Sequence, residues 1–280
     1  MNLCDLFEST EMREAASGFQ FTEGPVWHPD GYLLFSDIPA DIIYRLAPGE
    51  PATPWRTPSG NSNGLTIDRS GRLIACEHGN RRVTRTEADG SVVAIATHYK
   101  GKHLNSPNDL VVRSDGSIYF TDPPYGVMPE EKELSYNGVF RIAPDGTLHV
   151  LVRDFDRPNG LAFSPDEKTL YIDDTTRRQI RAFDVSTDGG LANGRIFAHM
   201  ESDMVGGPDG MKLDVEGNIY CAGPGALWVY RPSGELVGTV VGPQRPANLA
   251  FGDSDLRTIY LTSQTSVYTL RTKIPGLPVL

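Results

Sequence analysis

Six times along the chain, a polar residue opens a short apolar run at a place where a core strand would be expected to carry an apolar one. The steps are Glu23-Gly24, Asn63-Gly64, Asn108-Asp109, Asn159-Gly160, Asp209-Gly210 and Asn248-Leu249, and successive steps lie 40, 45, 51, 50 and 39 residues apart. After each step the chain makes an apolar stretch, a turn and a second apolar stretch. In the second unit, Asn63-Gly64-Leu65-Thr66-Ile67 runs into Asp68-Arg69-Ser70-Gly71. Leu73-Ile74-Ala75-Cys76 then returns to Glu77, with further strand-like runs at residues 82–85 and 91–95. A repeat of this length built from short strands is the signature of a β-propeller. The spacing predicts an all-β, six-bladed β-propeller.

Five units show about four strands each and the sixth shows three. The missing strand is expected near residues 18–21, where it would pair an otherwise open edge. Residues 1–17 are assigned to an N-terminal arm, with some helical character, and residues 18–280 to a single propeller domain. The first strand of each blade lines the central channel, so the six opening residues are expected to form one inward-facing ring at a channel mouth. A second series, Asp37, Glu77, Asp122, Asp174, Gly223 and Ser263, follows one hairpin later and is expected at the same mouth, farther out.

The formal net charge of −10 argues against nucleic acid or an anionic membrane as partner, since both need a basic face. No window approaches the roughly 18 consecutive apolar residues of a membrane span. The acidic first residues lack the basic-then-apolar pattern of a signal peptide, so a cytoplasmic location is expected. Cys4, Cys76 and Cys221 show neither a metal-ligand spacing nor a disulfide framework and are expected to be free thiols.

The ring has its own chemistry. Glu23 and Asp209 with Asn108 and Asn159 offer two anionic and two neutral hard oxygens, a set that suits Ca²⁺, Mg²⁺ or Mn²⁺ and tolerates Zn²⁺. No histidine is expected in the ring. Asn and Asp at strand starts also bond to backbone in turns, and that is the expected role of Asn63 and Asn248. The chain carries no GxGxxG or Walker string.

Several segments together resemble the SMP-30/gluconolactonase family, also called regucalcin-like. They are Glu23-Gly24-Pro25-Val26-Trp27, Asn105-Ser106-Pro107-Asn108-Asp109-Leu110, Phe120-Thr121-Asp122-Pro123-Pro124-Tyr125-Gly126, Arg157-Pro158-Asn159-Gly160-Leu161-Ala162 and Pro208-Asp209-Gly210. The likeness runs from about residue 18 to 270. It implies a propeller with one divalent metal in the channel, Ca²⁺ ahead of Zn²⁺, Mg²⁺ or Mn²⁺, held by Glu23, Asn159 and Asp209. It also implies Asn108 as a further ligand or substrate contact, Asp209 as general base, and a small sugar lactone opened to its acid. Animal members carry an Arg two residues before the Asn108 position. Ser106 stands there in this chain, and the string around it resembles bacterial gluconolactonase-like members. Ser106, His103, Asn108 and Tyr125 are therefore expected to meet the substrate. A phosphotriesterase-like hydrolase and a non-enzymatic metal-binding propeller stay open as alternatives. No sequence feature bears on the oligomeric state.

Overall fold

The computed structural model describes residues 2–279. Among them, strands form six four-stranded antiparallel sheets and one small hairpin, His98–Tyr99 with Lys102–His103. The first blade comprises Thr22–His28, Tyr32–Asp37, Ile42–Leu46 and Thr53–Arg56. The second comprises Ser62–Ile67, Leu73–Glu77, Arg82–Thr86 and Val92–Ala96. The third to fifth begin with the inner strands Leu110–Val112, Pro158–Phe163 and Met211–Leu213. The sixth holds Asn248–Gly252, Thr258–Ser263 and Ser266–Arg271. Each inner strand packs beside the inner strands of both neighbouring blades, so the six close into a ring. The six-bladed expectation holds.

The burial pattern explains the sequence pattern. The two inner strands of the second blade are buried along their whole length, whereas Val92–Ala96 at its outer edge is mostly exposed. A strand covered on both faces reads as a continuous apolar run. The core is correspondingly divided into six apolar layers, one between each pair of blades. Between the first and second blades Val26, Leu34 and Ile43 meet Leu65, Ile67 and Leu73. Between the last and the first, Trp27 stacks on Tyr260 at 5.3 Å.

The ring closes differently from expectation. The fourth strand of the last blade is Arg13–Ser17, paired with Ser266–Arg271 in the register Arg13↔Thr269 and Ser17↔Ser266. Residues 18–21 form no strand there: the N–H groups of Gly18 and Phe19 both donate to the Thr265 carbonyl in the turn of the last blade, and those of Gln20 and Phe21 each donate to the Asp37 carboxylate at 3.0 Å. The separate arm assigned to residues 1–17 is therefore corrected. Leu6 and Phe7 are buried between the fifth and sixth blades, with Phe7 edge-on to Tyr220 at 5.9 Å.

The second polar series stands outside the ring, with Asp37, Glu77 and Asp174 next in sequence to residues that line the mouth. Asp37, Asp122 and Asp174 grip the backbone that leads into an inner strand, and Glu77 binds side chains. Asp122 accepts from the Asn105 N–H at 2.8 Å, and Asp174 from Asp156 and Arg157 at 2.8 and 3.2 Å. Glu77 turns to Arg82 at 2.7 Å and to the Thr84 hydroxyl at 2.9 Å.

The glycine after the ring residue has a steric cause. A Cβ at Gly24 would lie 1.9 Å from the Asn63 carbonyl oxygen, one at Gly64 2.5 Å from that of Asn108, and one at Gly160 2.1 Å from that of Asp209. These three steps are thus each packed against the backbone of the next, and only a hydrogen fits. Gly24 also has φ +50°, whereas Gly31 combines φ +87° with open space. Gly31→Ala is expected to cost about 1 kcal/mol for its backbone conformation alone. Gly24→Ala adds a backbone collision and should cost on the order of 3 kcal/mol or prevent folding. Denaturant midpoints of the two variants check this, and equal midpoints would show that the inner strands do not constrain one another.

Candidate functional site

The mouth at which the inner strands begin holds a cavity of ≈ 620 Å³. Five of the six ring residues line it: Glu23, Asn63, Asn108, Asn159 and Asp209. The sixth, Asn248, lies beneath them. Its side-chain oxygen accepts from Leu249 N–H at 2.8 Å and its NH₂ donates to Asp109 at 3.4 Å. Asp109 belongs to the third blade and Asn248 to the sixth, on opposite sides of the axis, so this pair bridges the channel below the ring. Asp109 stands where four of the six steps carry glycine, and its carboxylate occupies the space a Cβ on Gly64 would need.

The amides are joined in one direction. Asn63 Nδ2 donates to Asn108 Oδ1 at 2.6 Å, and Asn108 Nδ2 donates to Asn159 Oδ1. Asn159 Nδ2 donates to the Thr175 hydroxyl at 3.1 Å, which itself donates to the Pro208 carbonyl at 2.8 Å, beside Asp209. Asn63 was expected to serve only its own turn. It instead heads a relay that fixes the rotation of Asn108 and Asn159.

The two acids share the cavity without an ion pair to either among the described residues. Burial pushes Glu23 up to about 7; the Gly24 N–H, 2.6 Å away, opposes this and the charge of Asp109 adds to it. Burial likewise holds Asp209 well above the usual carboxylate range, helped by the charges of Glu23 and Asp109 and opposed by Arg245. Among the described residues neither acid forms an ion pair with a lysine or arginine. Two acids converging on one cavity, each disfavouring the other's charge, are what a divalent cation would relieve. With the carboxamide oxygen of Asn159 they make an all-oxygen donor set that fits a hard cation.

Of the residues expected to meet substrate, Asn108 and Tyr125 are brought to the cavity and two are not. The Tyr125 hydroxyl donates to Thr175 at 3.1 Å, and burial pushes its pKa up to about 12. Ser106 is fully buried, and its hydroxyl accepts the Gly126 N–H at 3.1 Å, anchoring the Tyr125 loop from behind. His103 sits on the outlying hairpin, its ring 3.8 Å from that of His98 and its N–H bonded to Glu133. The expected absence of histidine from the ring is corrected as well. His78 lines the cavity, with Nε2 3.2 Å from Asn108 Oδ1 and 3.3 Å from Asn63 Nδ2. Burial pulls its pKa down to about 4, so it is neutral near pH 7 and acts as a hydrogen-bonding group.

His78, Thr175 and Ile38 share a signal: each directly follows a member of the second series, Glu77, Asp174 or Asp37. Successive residues leaving a strand alternate in direction. When the acid turns to the entry backbone, the next side chain turns to the cavity. Arg157 and Arg245, in the entry segments of the fourth and sixth blades, complete the mouth with Arg178. Cys76 and Cys221 are buried and pushed well up by burial, which leaves them poor nucleophiles.

Comparison with known proteins gives the architecture its relatives. Residues 21–265 match the model of the SMP-30/Gluconolactonase/LRE-like region. The chain is 35% identical to a gluconolactonase of Zymomonas mobilis, over 96% of this chain and 83% of that protein. It is 27% identical to the pentonolactonase XacC of Haloferax volcanii, over 91% and 85% of the two chains. Among solved structures, a gluconolactonase of Xanthomonas campestris superimposes with a TM-score of 0.88 and 33% identity, covering 96% of this chain and 92% of that one. Matched over nearly its whole length in sequence and in fold, the chain belongs to the SMP-30/gluconolactonase/LRE-like family.

Proposed function

We propose that the protein is a metal-dependent sugar lactonase that adds water to an aldonolactone and releases the open-chain sugar acid. The observation that carries this reading is the pair of carboxylates, Glu23 buried and Asp209 partly exposed, facing one cavity with no ion pair to a lysine or arginine among the described residues. Its substrate class is supported by the gluconolactonase and pentonolactonase relatives. Glu23, Asn159 and Asp209 would hold one divalent cation, Ca²⁺ by preference among hard ions. When bound, the cation supplies Lewis-acid polarisation of the lactone carbonyl.

The chain's own groups supply the rest. Asp209 takes a proton from water as the water oxygen bonds to the carbonyl carbon. The ring C–O bond then breaks, and the ring oxygen leaves with that proton as a hydroxyl. A cation held beside Asp209 would favour its ionised form for this role, against the burial that raises it. Asn108, fixed by Asn63 and His78, and the Tyr125 hydroxyl present polar groups to the sugar hydroxyls. The relay from Asn63 to Thr175 holds these donors in place before substrate arrives, which limits the reorganisation needed in the transition state.

Two outcomes follow. A chelator should abolish opening of glucono-, galactono-, xylono- and arabinono-lactone above the spontaneous rate, and single-metal add-back should restore it. Calcium at about 100 times its Kd should also stabilise the fold by about 2.7 kcal/mol, seen as a higher melting temperature. Metal-independent opening would remove the cation from the reaction, and a flat panel under every metal would favour a phosphotriesterase or a binding protein. Asp209→Asn should lower kcat by about 10²–10⁴-fold while the calcium-induced melting shift is weakened but present. A variant within a few-fold of wild type would exclude Asp209 as the base.

A further inference from the structure

The cavity mouth carries an excess of positive charge that lactone opening itself does not use. Five charged side chains line it: the carboxylates of Glu23 and Asp209, and the guanidinium groups of Arg157, Arg178 and Arg245. With a divalent cation balancing the two acids, three positive charges are left in a protein whose formal net charge is −10.

Two of the three are not committed to the fold. Arg178 is anchored, donating to the Ser202 carbonyl at 2.6 Å. Its neighbour Arg177, outside the cavity, pairs with Asp156 at 2.9 Å. Arg157 and Arg245, by contrast, have no carboxylate in ion-pairing range among the described residues. Each is nevertheless positioned. The Arg157 guanidinium lies 5.4 Å from the centre of the Tyr125 ring, a contact that orients it without satisfying its N–H donors. Arg245 lies against Gly206, where a Cβ would come within 2.8 Å of its Nη1. A side chain at that position would push the guanidinium aside.

Resting on the lactonase reading, we infer that the preferred substrate is a sugar lactone bearing a second anionic group, carboxylate or phosphate, remote from the lactone carbonyl and held by Arg157 and Arg245. Guanidinium presents paired N–H donors that match both anions in a two-pronged contact. The acids at the cavity floor would repel such a group, so the arrangement also sets which end of the molecule enters first. A neutral lactone offers the arginines hydroxyl oxygens as acceptors but no opposite charge.

The test compares kcat/KM for matched pairs of equal ring size: glucaro-1,4-lactone against glucono-1,4-lactone, and 6-phosphoglucono-1,5-lactone against glucono-1,5-lactone. Wild type should favour the anionic member of at least one pair by about tenfold or more, and the pair that responds distinguishes carboxylate from phosphate. Arg245→Gln and the surface variant Arg157→Gln should each reduce that selectivity ratio about tenfold. Added salt should erode it too. If neutral lactones are opened equally well, or the ratio survives in both variants, the inference is overturned while lactone opening stands. If no lactone is opened, the lactonase reading fails, and calorimetry with calcium-loaded protein decides the anion site separately. Glucarate or 6-phosphogluconate bound at least tenfold tighter than gluconate, with the gain lost in both variants, supports it; equal affinities overturn it.

Discussion

The close approach of six inner strands around one axis governs both the fold and the cavity. At the ring steps the strands come so near that Gly24, Gly64 and Gly160 each lie against the backbone of the following step. That contact fixes the angular position of every blade, because a side chain there would force neighbouring blades apart. It also sets the polar residue just before each glycine at a common height, since neighbouring steps are in register. The ring of Glu23, Asn63, Asn108, Asn159 and Asp209 is thus a consequence of how the blades pack. Where the glycine gives way to Asp109, the extra side chain spans to Asn248 and closes the channel beneath the ring.

Closure of the channel has an electrostatic result. Asp109 adds its charge to a floor already holding Glu23 and Asp209, and it contributes to raising both. Such a floor opposes full ionisation of its own acids in the absence of a cation, and the energy that opposes it becomes binding energy when one enters. The amides play a different part. Asn63, Asn108 and Asn159 pass hydrogen bonds in a single direction to Thr175, so their oxygens and NH₂ groups are not free to exchange places. Rigid neutral donors beside charged ones make a site whose geometry is set before it is filled.

Most of the fold was legible because its signals are local and repeated. Apolar pairs of strands broken by Asp-Gly or Pro-Asp turns recur at blade spacing, and the repeat number follows. Placement of the closing strand was not legible from that pattern. Residues 13–17 and 18–21 are both plausible edge strands by composition, and the choice depends on Asp37 gripping Gln20 and Phe21, a contact between segments that no single repeat shows. The same holds within the site. Glu23, Asn108, Asn159 and Asp209 stand at equivalent repeat positions and were found. The resemblance points to Ser106 as standing where animal members carry an Arg, and to His103 as a contact in its place, but loop residues need not face the same way. Ser106 turns inward to support Gly126, and His103 belongs to a separate hairpin. His78 was missed because the signal that marks it is the acid before it, whose own role only the structure reveals.

The charge layout then explains why a strongly acidic protein keeps arginines at this mouth. A cavity with acids alone would attract cations and repel every anionic sugar derivative, including the sugar acid that lactone opening produces. Arg157 and Arg245 reverse the sign at the rim without reaching the floor as ion-pair partners, so the cavity is negative below and positive above. An uncharged amide rim would have served a neutral lactone equally well. On the proposed reading, the field of the site would separate two tasks, cation binding at the acids and the orientation of an anion at the arginines.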